Sequence, residues 1–388
     1  MIIKQYVFQL GSEILIKIVL TSRQRGKIME YKAGKKVFSI SQKKVSEIVS
    51  YNQMVAKEVQ LKYVQCTDNG ISRHKSGKGF VYYNNQVRVT DLKTLSRIKS
   101  LVLPPAWKDV WICKHENGHL QATGVDAKGR KQYRYHPKWN ELRKEKKFLR
   151  LYQFGKKLTK VRKHIAADLR KHKLSKRKVL ALVVSVMDAT SIRIGNEQYE
   201  KRNGSYGLST MKDRHVSFKS GKLKFTFVGK KTVKHEIPLT NKRLAKLVKQ
   251  CRDIPGKELF QYYDEQGEHH AIDSGDVNAY IHEIAGEEFS SKDFRTWRGT
   301  VRCLQELAEA KDFDTKKDKK AYLVRAIDAV AKCLGNTRSV CKSHYIHPRL
   351  IQDFENGELS LKIKKAMKSI KALDNSSDYE KLLLKIIN

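Results

Sequence analysis

Tyr345 lies in the run Cys341-Lys342-Ser343-His344-Tyr345-Ile346-His347-Pro348, close behind a Gly335-Asn336-Thr337 turn. Three cations stand upstream. Arg193 falls in Ser191-Ile192-Arg193-Ile194-Gly195-Asn196, Lys230 in Phe227-Val228-Gly229-Lys230, and Arg295 in Lys292-Asp293-Phe294-Arg295-Thr296-Trp297. Together, two arginines, a lysine and a late tyrosine can attack a phosphodiester without a metal. An oxygen attacking phosphorus builds extra negative charge on the equatorial oxygens, and guanidinium groups offer fixed, permanently charged donors for it. A phenol, with a pKa of about 10, becomes a usable nucleophile among arginines. The departing sugar oxygen is far more basic and needs a proton, which a desolvated lysine can give.

Taken singly, each residue has a duller reading. A tyrosine is most often a core residue or a hydrogen-bond cap. Arg193, near a helix end, reads as an ion-pair partner, Lys230 as a turn lysine and Arg295 as a surface helix residue. Their joint occurrence in this order separates the reactive reading from the dull ones.

The elements that must position these groups differ along the chain. Residues 1–45 carry little turn chemistry and end in the basic stretch Lys32 to Lys44. They read as an N-terminal extension of unknown role, or as a start placed too early, with Met29 and Met54 as later candidates. Residues 46–140 carry strand signals: Gly79-Phe80-Val81-Tyr82-Tyr83, Gln86-Val87-Arg88-Val89 and Val110-Trp111-Ile112-Cys113, with turns at Asn84-Asn85 and Asn117-Gly118. A small antiparallel β-rich domain is expected there.

Residues 141–180 hold 16 Lys+Arg against three acids, with Phe154, Leu158, Val161, Ile165 and Leu169 at helical spacing. A long helix with a basic outer face follows, then a second through Val179 to Met187. Strand character returns in Val216-Ser217-Phe218, Leu223 to Phe227 and Thr232 to Ile237, a three-stranded insertion with turns at Ser220-Gly221 and Gly229 that sets Lys230 at a hairpin tip. Beyond residue 240 the chain is mainly helical. Trp297, Val301, Leu304 and Leu307 form one stripe, and Leu323, Ile327, Val330 and Leu334 another that Gly335 closes as an αL cap. The expected fold is therefore α+β, with residues 141–388 as the helical catalytic domain.

Charge identifies the partner. The 388 residues carry 80 Lys+Arg against 40 Asp+Glu, net +40, with 40% hydrophobic residues. The chain is globular, and a field of that size favours a polyanion over a merely solvated lysine-rich surface. Six scattered cysteines without a C-x-x-C pair offer no zinc spacing and no disulfide framework, so an intracellular protein is expected, in the cytoplasm or nucleoid of a bacterial host. Gln9, Ser12, Glu13 and Lys17 interrupt the apolar start, so no membrane association is expected.

Longer strings name a family. Leu103-Pro104-Pro105-Ala106-Trp107-Lys108-Asp109-Val110, Gly129-Arg130-Lys131-Gln132-Tyr133-Arg134-Tyr135-His136, Arg193 to Tyr199 and Asn203 to Leu208, with the reactive strings above, resemble type IB DNA topoisomerases of the bacterial and poxvirus-like branch over about residues 65–350. The resemblance implies that Tyr345 attacks duplex DNA to leave a 3′-phosphotyrosyl link and a free 5′-hydroxyl. Arg193 and Arg295 would clamp the non-bridging oxygens, and Lys230 would protonate the leaving 5′-oxygen. Asn336, nine residues before Tyr345, stands where poxvirus enzymes carry His, a pattern similar to bacterial members. Gln132, Tyr133, Tyr135 and Tyr199 match DNA-contacting positions, whereas Asn196 replaces a DNA-contacting Lys. The resemblance further implies supercoil relaxation without ATP or any cofactor, by a monomer clamped around the duplex.

Two rivals compete. A tyrosine recombinase shares the chemistry but typically shows His-x-x-Arg, where this chain has Lys292-x-x-Arg295, and lacks the strings at 103–136. A non-catalytic basic chromatin protein accounts for the charge but not for Tyr345 with its partners.

Overall fold

The computed structural model describes residues 4–10, 14–20, 28–33, 36–41, 51–127, 129–219, 222–310, 313–370 and 372–388. The chain divides into two units, Met1–Lys146 and Lys147–Asn388.

In the first unit, β1 (Lys4–Leu10), β2 (Ile14–Leu20), β3 (Ile28–Ala33) and β4 (Lys36–Ser41) pair in order as an antiparallel sheet. This sheet was not anticipated from the residue pattern, although Ile14 to Leu20 is rich in β-branched residues. The remainder of the 1–45 extension lies outside the described residues.

A six-stranded antiparallel sheet follows, built from β5 (Ile71–Ser76), β6 (Gly79–Asn84), β7 (Val87–Arg88), β8 (Lys108–Ile112), β9 (Leu120–Val125) and β10 (Lys131–Tyr135), in the order β10-β9-β8-β5-β6-β7. Asn85 and Gln86 both take positive φ, 47° and 70°, the requirement of a two-residue hairpin loop, and this leaves β7 shorter than the sequence suggests. Between β7 and β8 runs a helix the strand reading did not foresee, α1 (Leu92–Ser100), capped by Asp91 accepting from Thr94 N at 2.8 Å. It buries Ile98 against Ile71, Val110, Ile112 and Ala122. Arg97 ties it to the sheet through Gln121 Oε1 at 2.9 Å and the Cys113 carbonyl at 2.6 Å. Arg73 on β5 donates to the Pro104 and Trp107 carbonyls at 3.0 and 2.7 Å, fixing the Leu103-to-Trp107 loop.

The long basic helix exists as α2 (Pro137–Leu169). Phe154, Leu158, Val161, Ile165 and Leu169 are all buried, as their spacing requires. The second unit continues with α3 (Lys176–Thr190), α4 (Glu197–Asn203), β11 (Val216–Lys219), β12 (Lys222–Val228), β13 (Lys234–Leu239) and α5 (Lys242–Arg252). The three strands form the expected sheet, with β12 between its neighbours. On β12, Leu223, Phe225 and Phe227 are buried while Lys222, Lys224 and Thr226 are exposed, the period-two pattern of a sheet with one covered face. The Ser220-Gly221 turn lies outside the described residues.

A short hairpin, β14 (Gln261–Tyr263) with β15 (His269–Ala271), precedes α6 (Ser274–Ala285), α7 (Ser291–Ala308), α8 (Lys316–Leu334), α9 (Arg338–His344), α10 (Pro348–Glu355), α11 (Leu359–Met367) and α12 (Ser376–Ile386). Both predicted stripes, on α7 and α8, are buried. Arg162 of α2 knits four helices. It donates to Asp188 of α3 at 2.8 Å and to Glu380 of α12 at 2.7 Å, and Glu380 also accepts from Trp297 Nε1 of α7 at 3.1 Å. Glu380, the least exposed charged member of this network, would lose its charged partner if Arg162 were removed. Where α2 crosses α7, a Cβ on Gly155 would lie within 2.1 Å of the Trp297 ring.

Candidate active site

Each reactive position is set by a local rule. Helix α3 ends at Ser191, whose φ of 59° reverses the chain, so Arg193 emerges just past the helix. Arg295 sits in the second turn of α7, whose start is held by Asp293 accepting from Ser290 N at 2.8 Å. Gly335 closes α8 with φ 59° and ψ 50°, the predicted αL cap, and so turns Asn336 away from the helix axis. Tyr345 is the residue that ends α9, its N–H donating to the Cys341 carbonyl at 2.9 Å.

Four of the five predicted reactive residues come together. Arg193 Nη2 donates to Asn336 Oδ1 at 2.5 Å and to the Gly335 carbonyl at 3.2 Å. Arg295, only 5% exposed, donates to the Ser191 carbonyl and, at 2.8 Å, to the Leu334 carbonyl, so it joins the ends of α3 and α8. Its guanidinium carbon lies 5.5 Å from the centroid of the half-buried Tyr345 ring. Burial lowers the Arg295 pKa, and the Tyr345 hydroxyl beside it works in the opposite direction. Burial and the Arg295 charge push Arg193 down to about 10, which leaves it protonated at neutral pH.

Two donors in this cluster lack an oxygen or nitrogen partner among the described residues. Arg295 Nε and Asn336 Nδ2 are buried without a hydrogen-bond partner among the described residues. The Cys341 thiol beside the amide is at best a weak acceptor. Leaving a buried donor unmet costs about 1–3 kcal/mol, so two of them between like charges mark a place built for an anion.

Lys230 stands apart. It opens a short 3₁₀ turn, Lys230–Thr232, between β12 and β13, where Gly229 N donates to the Val233 carbonyl at 2.8 Å. The side chain is exposed, with its ammonium 6.0 Å from the centroid of Tyr199 on α4. No contact between Lys230 and the arginines occurs among the described residues.

The other predicted positions are dispersed. Asn196 caps α4, its side chain accepting from Gln198 N at 2.9 Å. On β10, Gln132 donates to Asp126 Oδ2 at 2.9 Å. Tyr133 and Tyr135, two residues apart and therefore on one face, stack at 6.0 Å against the cluster of Val64, Cys113 and Leu120. Burial raises both phenol pKa values, and the Tyr133 hydroxyl is enclosed without a partner among the described residues.

Three residues the sequence did not single out belong to the cluster. Lys147 lies beside Tyr345: its ammonium donates to the His344 carbonyl and lies 5.4 Å from the Tyr345 ring centroid. Burial, then Lys292, lower its pKa to about 7. Nothing distinguishes it within a lysine-rich run. At Gly299 on α7, a Cβ would stand 2.7 Å from the Tyr345 carbonyl oxygen and 3.3 Å from its Cβ. An isolated glycine inside an apolar helical stripe was the signal for it. His235 on β13 is the third.

Comparison with known proteins completes the assignment. The family model "Eukaryotic DNA topoisomerase I, catalytic core" matches residues 136–376, and "Bacterial DNA topoisomerase IB, N-terminal domain" matches residues 79–126. A DNA topoisomerase 1B of Acanthamoeba polyphaga mimivirus is 33% identical over 296 residues, covering 74% of this chain and 88% of its own. The DNA topoisomerase 1B of Vaccinia virus (strain Western Reserve) is 25% identical over 237 residues, 59% of this chain and 71% of its own. The DNA topoisomerase 1 of Schizosaccharomyces pombe is 25% identical over 247 residues, 61% of this chain but 27% of its own. The catalytic-core match takes in Arg193, Lys230, Arg295, Asn336 and Tyr345 together, and with the mimivirus likeness it decides the matter: the chain belongs to the type IB DNA topoisomerases.

Proposed function

We propose that the protein relaxes supercoiled duplex DNA by cutting one strand through Tyr345 and resealing it. The phenolic oxygen bonds to phosphorus as the bond to the 5′-oxygen breaks. Lys230 gives that oxygen its proton, and the phenolic proton passes to solvent. The product is a 3′-phosphotyrosyl ester and a free 5′-hydroxyl, and attack by that hydroxyl reverses each step. The ester preserves the bond energy, so resealing needs no ATP, and the strand turns about its partner in the interval.

What supports this reading is the pair of unmet donors, Asn336 Nδ2 and Arg295 Nε, held beside Arg193 and within reach of Tyr345. Donors fixed before charge develops need no reorganisation at the moment of reaction. The Arg193 bond to Asn336 Oδ1 leaves the amide N–H groups as the available ends of that side chain. Lys230, exposed on its turn, has the reach of a long side chain for a leaving oxygen. Gln132, Tyr133, Tyr135 and Tyr199 are proposed DNA contacts. For Tyr133 and Tyr135 this requires the strand to present ring edges, since their faces are stacked.

Purified protein is expected to relax negatively and positively supercoiled plasmid in EDTA without ATP, because the cationic cluster performs the charge stabilisation that metal ions supply elsewhere. Gel mobility of the topoisomers checks it, and strict dependence on Mg²⁺ would overturn the mechanism. The same plasmid separates the rivals: a chromatin protein leaves linking number unchanged, and a recombinase exchanges strands between sites.

Asn336→Ala is expected to slow single-turnover cleavage, by up to about 2.7–4 kcal/mol in the barrier, the range for one donor lost from a preorganised oxyanion site. Asn336→His keeps a donor on the same turn and remains active. If Ala matches the parent protein across neutral pH, Asn336 serves only the turn after Gly335.

A further inference from the structure

We propose that His235 is a positioning residue that sets the distance between the Lys230 hairpin and the Gly335-Asn336 turn. This rests on the reading of Lys230 as the proton donor to the 5′-oxygen.

His235 lies on β13 directly opposite Phe227 of β12, and the two rings stack at 5.0 Å with 22° between their planes. Its edges touch two glycines that flank reactive residues. A Cβ on Gly229, immediately before Lys230, would lie 2.7 Å from His235 Cδ2 and Nε2. A Cβ on Gly335, immediately before Asn336, would lie 2.2 Å from His235 Cε1. The imidazole is thus wedged between two stretches of bare backbone, one leading to each group. Side chains at 229 or 335 would force the wedge out, and Gly335 also needs its positive φ to end α8.

The wedge adjoins the anion ground. His235, Arg193 and Arg295 share the wall of a recess of about 10 Å³, room for little more than a water molecule. Burial and the two guanidinium charges lower the His235 pKa, so at neutral pH it fills this space without adding charge. Arg193 completes the chain of contacts, donating to the Gly335 carbonyl and to Asn336. The hairpin bearing Lys230 is therefore referenced, through one flat ring, to the same backbone turn that orients Asn336 and Arg193. The aromatic stack and the two glycine contacts leave the ring little freedom to move.

Substrate chemistry tests this. When sulfur replaces the bridging 5′-oxygen, the leaving thiolate needs no proton, so a defect in proton delivery is masked while a defect in phosphate clamping is not. His235→Ala is expected to slow cleavage of ordinary DNA about 10- to 100-fold, the cost of misplacing a catalytic group by an ångström or so, and to cost much less on the thio substrate. His235→Gln, which keeps a planar side chain, is expected to show the same preference with a smaller loss, and it preserves the test should Ala fail to fold. Lys230→Ala is run in parallel. If it discriminates between the substrates while both His235 variants lose equally on them, His235 acts on the fold or the clamp and the inference is overturned. If Lys230→Ala also loses equally on both, the Lys230 reading fails and the inference goes with it.

Discussion

Tyr345→Phe is expected to form no covalent link to DNA and to lose relaxation by roughly 10⁴-fold or more, the scale on which removal of a nucleophile is felt. Only one oxygen is removed. The ring stays near both the Arg295 guanidinium and the Lys147 ammonium, and the backbone contacts of α9 are untouched. Affinity for duplex DNA and thermal stability should therefore stay near those of the parent protein. Denaturing the parent reaction in progress should leave protein on a DNA 3′ end, visible as a shifted band with end-labelled substrate. The same band from the Phe variant would assign the nucleophile elsewhere.

Lys230→Ala is expected to slow cleavage of ordinary DNA by about 10²- to 10⁴-fold, the usual contribution of a positioned proton donor. Lys230 is exposed on a 3₁₀ turn and its nearest ring partner, Tyr199, is 41% exposed, so the substitution has little packing to disturb. The loss should shrink sharply on DNA with a bridging 5′-sulfur. Equal losses on the two substrates would remove Lys230 from proton transfer and leave it as a phosphate contact.

The sequence was most informative where burial imposes a period. Leu223, Phe225 and Phe227 on β12, and Phe154, Leu158, Val161 and Ile165 on α2, each lie on one covered face, so their spacing alone predicted the elements. Gly335 was legible as a cap for a similar reason: its demand on φ is local. The four strands before residue 45 lacked turn signals to frame them, and helix α1 and the β14–β15 hairpin were missed because such short elements carry too few buried positions to establish a pattern. The site divides the same way. Arg193, Arg295, Asn336 and Tyr345 belong to recognisable strings, but the Arg193 bond to Asn336 and the contact of His235 with Gly335 join residues 143 and 100 apart in sequence. Such contacts follow from packing between elements, and no spacing along the chain encodes them.

Gly299 extends that point to the protein's scope for change. The residue has no side chain, takes no part in the chemistry and sits inside a regular helix, where alanine is ordinarily the more favourable choice. Yet the backbone of Tyr345 rests on it at a separation that leaves no space for a methyl group. A one-carbon substitution there would stabilise the isolated helix while levering Tyr345 away from Arg295. The route to a sturdier α7 is thus closed at the point where it would be simplest, and drift at this position is bounded by the room the tyrosine's backbone needs rather than by any reactive group.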